Sequence, residues 1–497
     1  MSVGKVILVG AGPGDAGLFT LKGKEVLERA DVVVYDSLVG PGVLGLMPDG
    51  AEKIDVGKRA GNHPVPQPQI NQILLDKALE GKLVVRLKGG DPFLFGRGGE
   101  ELELLRQHDV PFEVVSGVTS ALSVPAYNGI PVTHRDFVSS LHIITGHTRK
   151  QPGASIDYEA LVRLKGTLVF LMGISAMEGI MQGLMQAGMP ADMPAAVLER
   201  GTTAHQRRVV STVEHLWRDS QQADIKTPAI IVVGEVCRLA EEFHWAEDRP
   251  LGGKKIVVTR PKDRAGRLSS RLRTLGAEVV ELPAIRTCPV ENNDALMQAL
   301  AQPDRYDVIA LTSPAGVTYF FDALRRSRMD IRSLAGIRFA AIGSATREAI
   351  EQRGIQVEIM PSTYSAQYLA QAIAEALPQG GRVLLPRARM GTESLTEGLA
   401  QRGISYDDIP LYDTEYRVNE GLDAGAQAAE ADYIAFTSAS TVKGFAACTQ
   451  GADYTAMTAV CIGEQTAAEA RKLGMKIKVA RQATMDSMIE CMLEIKE

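Results

Sequence analysis

Short runs rich in Val, Ile and Leu recur along the chain, each followed by a stretch with helical spacing of apolar residues. Between Lys5 and Val236 these runs predict strands at Val6–Val9, Asp31–Tyr35, Leu83–Leu87, Phe112–Val115, His142–Thr145, Thr167–Met172, Ala195–Leu198 and Pro228–Val233. Strands alternating with helices, and apolar nearly throughout, predict α/β layering around buried sheets. Thr20 is the expected N-cap of a helix over LKGKEVLERA. The alternation breaks at EEFHWAEDRPLGG (Glu241–Gly253), and a fresh strand, Lys255–Val258, starts directly after it. We therefore expect one unit over 1–245, a linker at 246–254 and a second unit over 255–497.

The second unit repeats itself. VVTRPKDRAGRLSSRLRTLGAEVVELP (Val257–Pro283) resembles LLPRARMGTESLTEGLAQRGISYDDIP (Leu384–Pro410), with Arg260 over Arg387, Gly276 over Gly403 and Pro283 over Pro410. Tyr306–Val317 likewise resembles Asp432–Val442, and Ile342–Ile359 resembles Ile462–Val479. Matches in one order point to duplication of a unit too long for a solenoid repeat, hence to two α/β lobes with a cleft between them.

Composition narrows the function classes. With 497 residues, 45% hydrophobic and 23% charged, the chain reads as an ordinary globular protein of several domains. A net charge of −6 argues against holding nucleic acid by phosphate neutralisation. The five cysteines are scattered without C-x-x-C spacing, which fits reduced thiols and neither a disulfide framework nor a metal site. No basic-apolar leader pattern and no apolar run of membrane-spanning length is visible, so a soluble, cytoplasmic protein is expected.

The densest candidate chemistry is VRLKGGDPFLFGRGGE (Val85–Glu100). A β-rich run stops at two glycines and an Asp-Pro, then enters a loop with three more glycines. Such glycines admit close backbone approach to a ligand and positive φ, while Pro92 pushes Asp91 out of the helical region. The acidic residues Glu100, Glu101 and Glu103 open a helix, where negative charge suits the dipole. VILVGAGPGD (Val6–Asp15), with Asp36 at the end of the next strand, invites a dinucleotide-binding reading. Against it, the third glycine of G-x-G-x-x-G is missing, Pro13 removes a donor, and the helix starts only at Thr20. An NAD(P)-dependent oxidoreductase fused to a two-lobed small-molecule binding module is thus the alternative reading.

In order, VGAGPGD, VVVYDSLV, VGKR, RLKGGDPFLFGRGGEE, VVSGVTSA, PVTHRD, TLVFLMG and ERGT resemble the motif series of the uroporphyrinogen-III C-methyltransferases, of the tetrapyrrole methylase family. The resemblance covers residues 3–245. It implies a two-domain methylase that transfers methyl groups from S-adenosylmethionine to C2 and C7 of uroporphyrinogen III, giving precorrin-2. By position it implies cofactor contacts at Pro13, Gly89, Gly90, Asp91, Leu94, Thr119, Ser120, Met172 and Gly201, and an acid/base pair of Asp36 and Lys58. Met172 alone would read as a core residue, and a strand-end Asp such as Asp36 often caps a loop. A substrate bearing eight carboxylates calls for cations, for which Arg97 and Arg149 are candidates, with Arg135, Arg207 and Arg208 behind them. The family's methyltransferase is a homodimer.

Residues 255–497 show no nucleophile–base pair, but VVTRP, LTSPAGV, AIGSAT, LLPRA, LYDTE, FTSAS and CIGEQT are similar, in order, to the uroporphyrinogen-III synthases. That resemblance implies flavodoxin-like lobes that exchange segments, about 255–288 with 413–497 in one and 289–412 in the other. It implies closure of hydroxymethylbilane with inversion of ring D, with Tyr412 assisting departure of the hydroxyl and Thr346 and Thr466 among the cleft hydroxyls. For Tyr412, packing at the lobe hinge is the competing reading. The product of the second half would be the substrate of the first, so the two resemblances meet on one metabolite, on the route to sirohaem or cobalamin. A tether of about ten residues would hold the two sites at roughly mM effective concentration.

Overall fold

The computed structural model describes residues 3–57, 65–146, 156–377, 380–391, 393–417 and 420–493. Each of its four sheets has five strands. The first contains β1 (Lys5–Gly10), β2 (Val32–Tyr35), β3 (Glu52–Asp55), β4 (Leu83–Lys88) and β5 (Phe112–Val115), in the order β3-β2-β4-β1-β5 and parallel throughout. Side chains of alternate strand residues enter different cores: Ile7, Val9, Val33 and Val85 face one cluster, and Val6, Val32, Val34 and Val84 the other. Burial on both faces is why these strands read as unbroken apolar runs.

The second sheet is mixed, with β6 (Leu141–Thr145), β7 (Thr167–Leu171), β8 (Pro194–Glu199), β9 (Arg207–Thr212) and β10 (Ala229–Val233) in the order β6-β7-β10-β8-β9. The apolar runs locate all these strands except β3 and β9. Both lie at sheet edges, where EKID and RRVVST carry polar side chains to solvent and show no apolar run.

In the second half, β11 (Lys255–Val258) and β12 (Glu278–Glu281) pair in parallel before the chain leaves their sheet. It then builds another sheet from β13 (Ile285–Pro289), β14 (Val308–Leu311), β15 (Arg338–Ala341), β16 (Arg382–Ala388) and β17 (Ser405–Tyr416), in the order β13-β17-β16-β14-β15. Finally it returns to the first of these sheets with β18 (Tyr433–Phe436), β19 (Thr458–Cys461) and β20 (Lys476–Val479), giving β12-β11-β18-β19-β20. The internal repeat is visible in these orders: β12, β11, β18 and β19 correspond to β17, β16, β14 and β15. β13 has no counterpart. It pairs antiparallel with the end of β17, Tyr412–Tyr416, and so carries both segments into the second lobe's sheet. The crossings therefore fall at Leu282–Ala284 and after Tyr416, a few residues from the expected 288 and 413.

The polar stretch between the halves is docked. The Trp245 indole donates to the Ala126 carbonyl at 2.9 Å, and Arg249 donates to the carbonyls of Arg273 and Thr274, which close the helix Lys262–Thr274. Among the described residues, no helix is long and apolar enough to cross a membrane.

Candidate active site

Parallel strands bring their carboxyl ends to one edge of a sheet, and the outgoing connections of adjacent β1 and β4 run toward opposite sides there, which is where α/β sheets bind ligands. The loops after β1, β4 and β5 meet at this edge through glycine. Gly12 and Gly90 exchange backbone hydrogen bonds of 3.2 and 2.7 Å. A Cβ on Gly10 would lie 2.5 Å from Gly117, and one on Gly117 only 2.1 Å from the Gly90 carbonyl oxygen. Gly90, at φ 65°, has nothing within 4 Å of its Cβ position, so its backbone borders open space. After the glycine turn comes only a short 3-10 helix, Ala16–Leu18, capped by Asp15; the helix Leu21–Leu27 starts later, with Thr20 accepting from the Gly23 amide. These glycines serve a crossing of backbones, and no long helix opens at the turn to receive a pyrophosphate.

Asp91 organises the loops. Its Oδ1 accepts from the amides of Phe93 (2.8 Å) and Leu94 (3.2 Å), and its Oδ2 from that of Gly117 (3.0 Å). The carboxylate thus ties the β4 loop to the β5 loop, a duty that balancing a cofactor cation does not require. Leu94 packs against the core formed by Ala121, Val124, Leu171 and Leu198, reaching the second sheet. Thr119 caps the helix Ser120–Tyr127 by accepting from Ala121, which places Ser120 in the first turn. A Cβ on Gly201 would meet Val124 of that helix at 2.3 Å, and the Asp15 amide donates to Thr202 Oγ1 at 3.2 Å. The segments carrying Pro13, Gly89–Asp91, Leu94, Thr119, Ser120 and Gly201 are therefore joined, through the neighbouring residues Gly12, Asp15, Val124 and Thr202.

Met172 follows the buried end of β7 and stands 51% exposed, which removes the core-residue explanation. Its φ is 54°, and the non-glycine residues Phe95 (54°), Arg97 (59°), Arg200 (46°) and Thr202 (69°) also adopt positive φ beside the candidate positions. Strained backbone of this kind persists where surrounding structure holds it, and it clusters at functional sites.

Asp36 leaves β2 at the same edge. Its Oδ1 accepts from the Leu38 amide at 3.1 Å, and its Oδ2 lies 3.6 Å from the Arg86 guanidinium. Arg86 is a link that the apolar reading of β4 passed over. It is 3% exposed, donates Nη1 to the carbonyls of Val34 and Leu87, and shares Glu101 with Lys88 at 3.1 and 2.8 Å. Glu101 is fully buried and also accepts from Gln67. Its place in the first turn of a helix matches the dipole reading, but its partners are two cations of a central strand. The signal was present in VVRLKGG: a strand covered on both faces can hold Arg and Lys only if they are paired. Burial foremost, then the Arg86 charge, pushes the Lys88 ammonium below its ordinary pKa.

Leu38, Phe93 and Phe95 remain exposed around this edge. Arg97 is half-exposed and bound bidentately to Glu100 at 3.0 and 2.7 Å, which raises its pKa. Arg207 is committed to Glu199 and two carbonyls, and Arg208 to Glu247. Lys58 and Arg149 lie outside the described residues.

In the second half, Ser313 and Ser438 cap equivalent helices, Pro314–Arg326 and Ala439–Cys448. Gly343 and Gly463 precede the other pair, Ser344–Glu351 and Glu464–Lys472. Thr346 and Thr466 are buried in the first turns of those helices. Tyr412, on β17 and 6% exposed, shares a 2.9 Å hydrogen bond with Ser313 Oγ and stacks on Tyr319 at 5.2 Å. The lobes touch where Arg267 approaches Glu348 at 3.8 Å.

Comparison with known proteins fits this division. Residues 5–216 match the model of the tetrapyrrole (corrin/porphyrin) methylases, and residues 266–490 that of uroporphyrinogen-III synthase HemD. The porphyrin biosynthesis protein HemD of Ruminiclostridium josui is 48% identical over 498 residues, covering 100% of this chain and 99% of that protein. The uroporphyrinogen-III C-methyltransferase of Bacillus subtilis (strain 168) is 39% identical over 358 residues, 72% of this chain and 73% of its own length. A Thermus thermophilus uroporphyrin-III C-methyl transferase, crystallised with S-adenyl homocysteine, aligns with 47% of this chain and 99% of its own at 41% identity and a TM-score of 0.41. The chain belongs to the porphyrin-biosynthesis family in which a tetrapyrrole methylase is fused ahead of a uroporphyrinogen-III synthase.

Proposed function

We propose that residues 1–245 methylate uroporphyrinogen III at C2 and C7 with S-adenosylmethionine, and that residues 255–497 make that substrate from hydroxymethylbilane. The product of the fused chain is then precorrin-2. The observation that carries the methylase reading is the glycine crossing at Gly10, Gly90 and Gly117, with Gly90 bordering open space next to Asp91. A side chain at Gly90 would occupy that space, so the cradle suits a ligand pressed against backbone. Backbone at Gly89 and Gly90 and the hydroxyls of Thr119 and Ser120 would hold the polar groups of S-adenosylmethionine, with Pro13, Leu94, Met172 and Gly201 shaping its pocket and Asp91 fixing two of the loops. When bound, S-adenosylmethionine supplies an electrophilic methyl group. Asp36 would take up, at its carboxylate, the proton the ring system loses, with Arg86 at 3.6 Å orienting that carboxylate. Lys58 would be its acid partner. The exposed Leu38, Phe93 and Phe95 offer an apolar rim to a large macrocycle, and Arg97 and Arg149 are the proposed carboxylate contacts.

In the second half, the reaction expels hydroxide from hydroxymethylbilane and joins the chain ends with ring D inverted, releasing water overall. The work of the protein is to hold one folded geometry, with Tyr412 donating to the departing hydroxyl and Thr346 and Thr466 lining the cleft. The chain would act as a cytoplasmic homodimer, and the scattering of its cysteines without C-x-x-C spacing fits a reducing compartment.

The test is methyl transfer from labelled S-adenosylmethionine to uroporphyrinogen III by the wild-type chain and by Asp36→Asn. We expect two methyl groups per product from the wild type and a loss of at least about a hundredfold in the variant. Unchanged turnover by Asp36→Asn would remove Asp36 from the mechanism.

A further inference from the structure

The loop that carries Gly201, and through it the loop that carries Pro13, is held from outside its own half of the chain. Three residues past Gly201, the Ala204 amide donates to Glu278 Oε2 at 2.8 Å, and Glu278 stands on β12 of the second half. Gln206 accepts from the Thr202 amide at 3.1 Å and donates to the Tyr127 carbonyl and to Glu247, each at 3.2 Å. Thr202 Oγ1 in turn accepts from the Asp15 amide, two residues past Pro13, and Asp15 Oδ2 accepts from the Tyr127 hydroxyl at 2.7 Å. Tyr127 meets Trp245 edge-on at 5.0 Å, and Trp245 lies 5.9 Å from the Arg249 guanidinium, which is bonded to the end of the helix Lys262–Thr274. Contacts thus run without a break from both candidate cofactor loops to one lobe of the second half.

The backbone gives these contacts something to do. Arg200 and Thr202, flanking Gly201, have φ of 46° and 69°, a region that side-chain-bearing residues leave unless neighbours hold them. The Gly201 side of the loop is fixed by its approach to Val124. Its Ala204 side is fixed by a charge-assisted hydrogen bond to a carboxylate that belongs to the other enzyme.

We propose that Glu278 is a positioning residue for the methylase cofactor pocket, so that the synthase half completes the site at which the methyl donor binds. This rests on the reading of Pro13 and Gly201 as cofactor contacts. A loop that is ordered before the cofactor arrives needs no ordering on binding, and the affinity is higher for it.

The full-length chain tests this with Glu278→Ala and Glu278→Gln, titrated with S-adenosylhomocysteine and assayed for both reactions. In Glu278→Ala, S-adenosylhomocysteine should bind at least about fivefold more weakly and the KM for S-adenosylmethionine should rise in step. The kcat for methyl transfer and the turnover of hydroxymethylbilane should stay within about twofold of wild type. Glu278→Gln, which keeps an acceptor, should recover most of the affinity. Wild-type affinity in Glu278→Ala overturns the proposal. So does a parallel loss of affinity and of hydroxymethylbilane turnover, which would mark general damage to β12. Failure of the wild-type chain to bind S-adenosylhomocysteine is a separate result, and it would instead remove the cofactor reading on which the proposal stands.

Discussion

A single buried carboxylate, Glu101, balances two buried cations and through Arg86 reaches the proposed base Asp36. Removing its charge would strand Lys88 and Arg86 in a dry site. Glu101→Gln should therefore destabilise the first half by about 3 kcal/mol, and Lys88→Met/Glu101→Gln should recover most of that, as read by urea unfolding. Lys88 adds a pH dependence of its own. Its folded pKa is lowered by burial, so the unfolded chain binds the proton more tightly. The fold should gain stability as pH rises from the lowered pKa toward the ordinary lysine value, and Lys88→Met should flatten that rise. At the other end of the chain, Tyr412→Phe keeps the ring on Tyr319 and removes only the hydroxyl. If that hydroxyl assists departure of the leaving group, hydroxymethylbilane turnover should fall more than tenfold with little change in melting temperature; a fall in melting temperature alone would make Tyr412 a packing residue. Sequence marked Asp36 by its strand end and Asp91 by its Asp-Pro turn, both written locally, whereas Tyr412 came only from the family resemblance. It could not show that both oxygens of Asp91 are taken by amides, or that Glu101 faces β4, because those partners come from distant segments.

Among the elements, the well-covered strands of the first half and β11 of the second were legible for a physical reason: buried on both faces, they have few polar positions to interrupt the run. The edge strands β3 and β9 were not, since exposure makes their sequences look like loops. The duplication in the second half survives as matching strand orders, whereas β13, which has no repeat partner, moves the lobe crossings a few residues from where the family resemblance put them. The glycine motif VGAGPG was ambiguous in sequence between a pyrophosphate turn and a tight crossing, and the contact of Gly10, Gly90 and Gly117 decides for the crossing. Gly117→Ala would drive a methyl group into the Gly90 carbonyl. S-adenosylhomocysteine binding, measured by calorimetry, should then be lost while hydroxymethylbilane turnover persists.

On the scale of the whole molecule, two enzymes share one chain and a docked interface. Trp245 and Arg249 fasten the polar stretch that composition alone marked as a tether, and Lys53 of the first half meets Glu420 of the second at 3.3 Å. A linker docked in this way would hold the two sites at one separation, where a flexible linker would leave it to vary. One coupled assay tests both halves together: the full-length chain receives hydroxymethylbilane and S-adenosylmethionine, and the tetrapyrrole products are identified after oxidation. The expected result is a dimethylated type III product formed without any added enzyme. Unmethylated type III product, or methylated type I product, would contradict it by showing that one half of the chain does not carry out the reaction assigned to it.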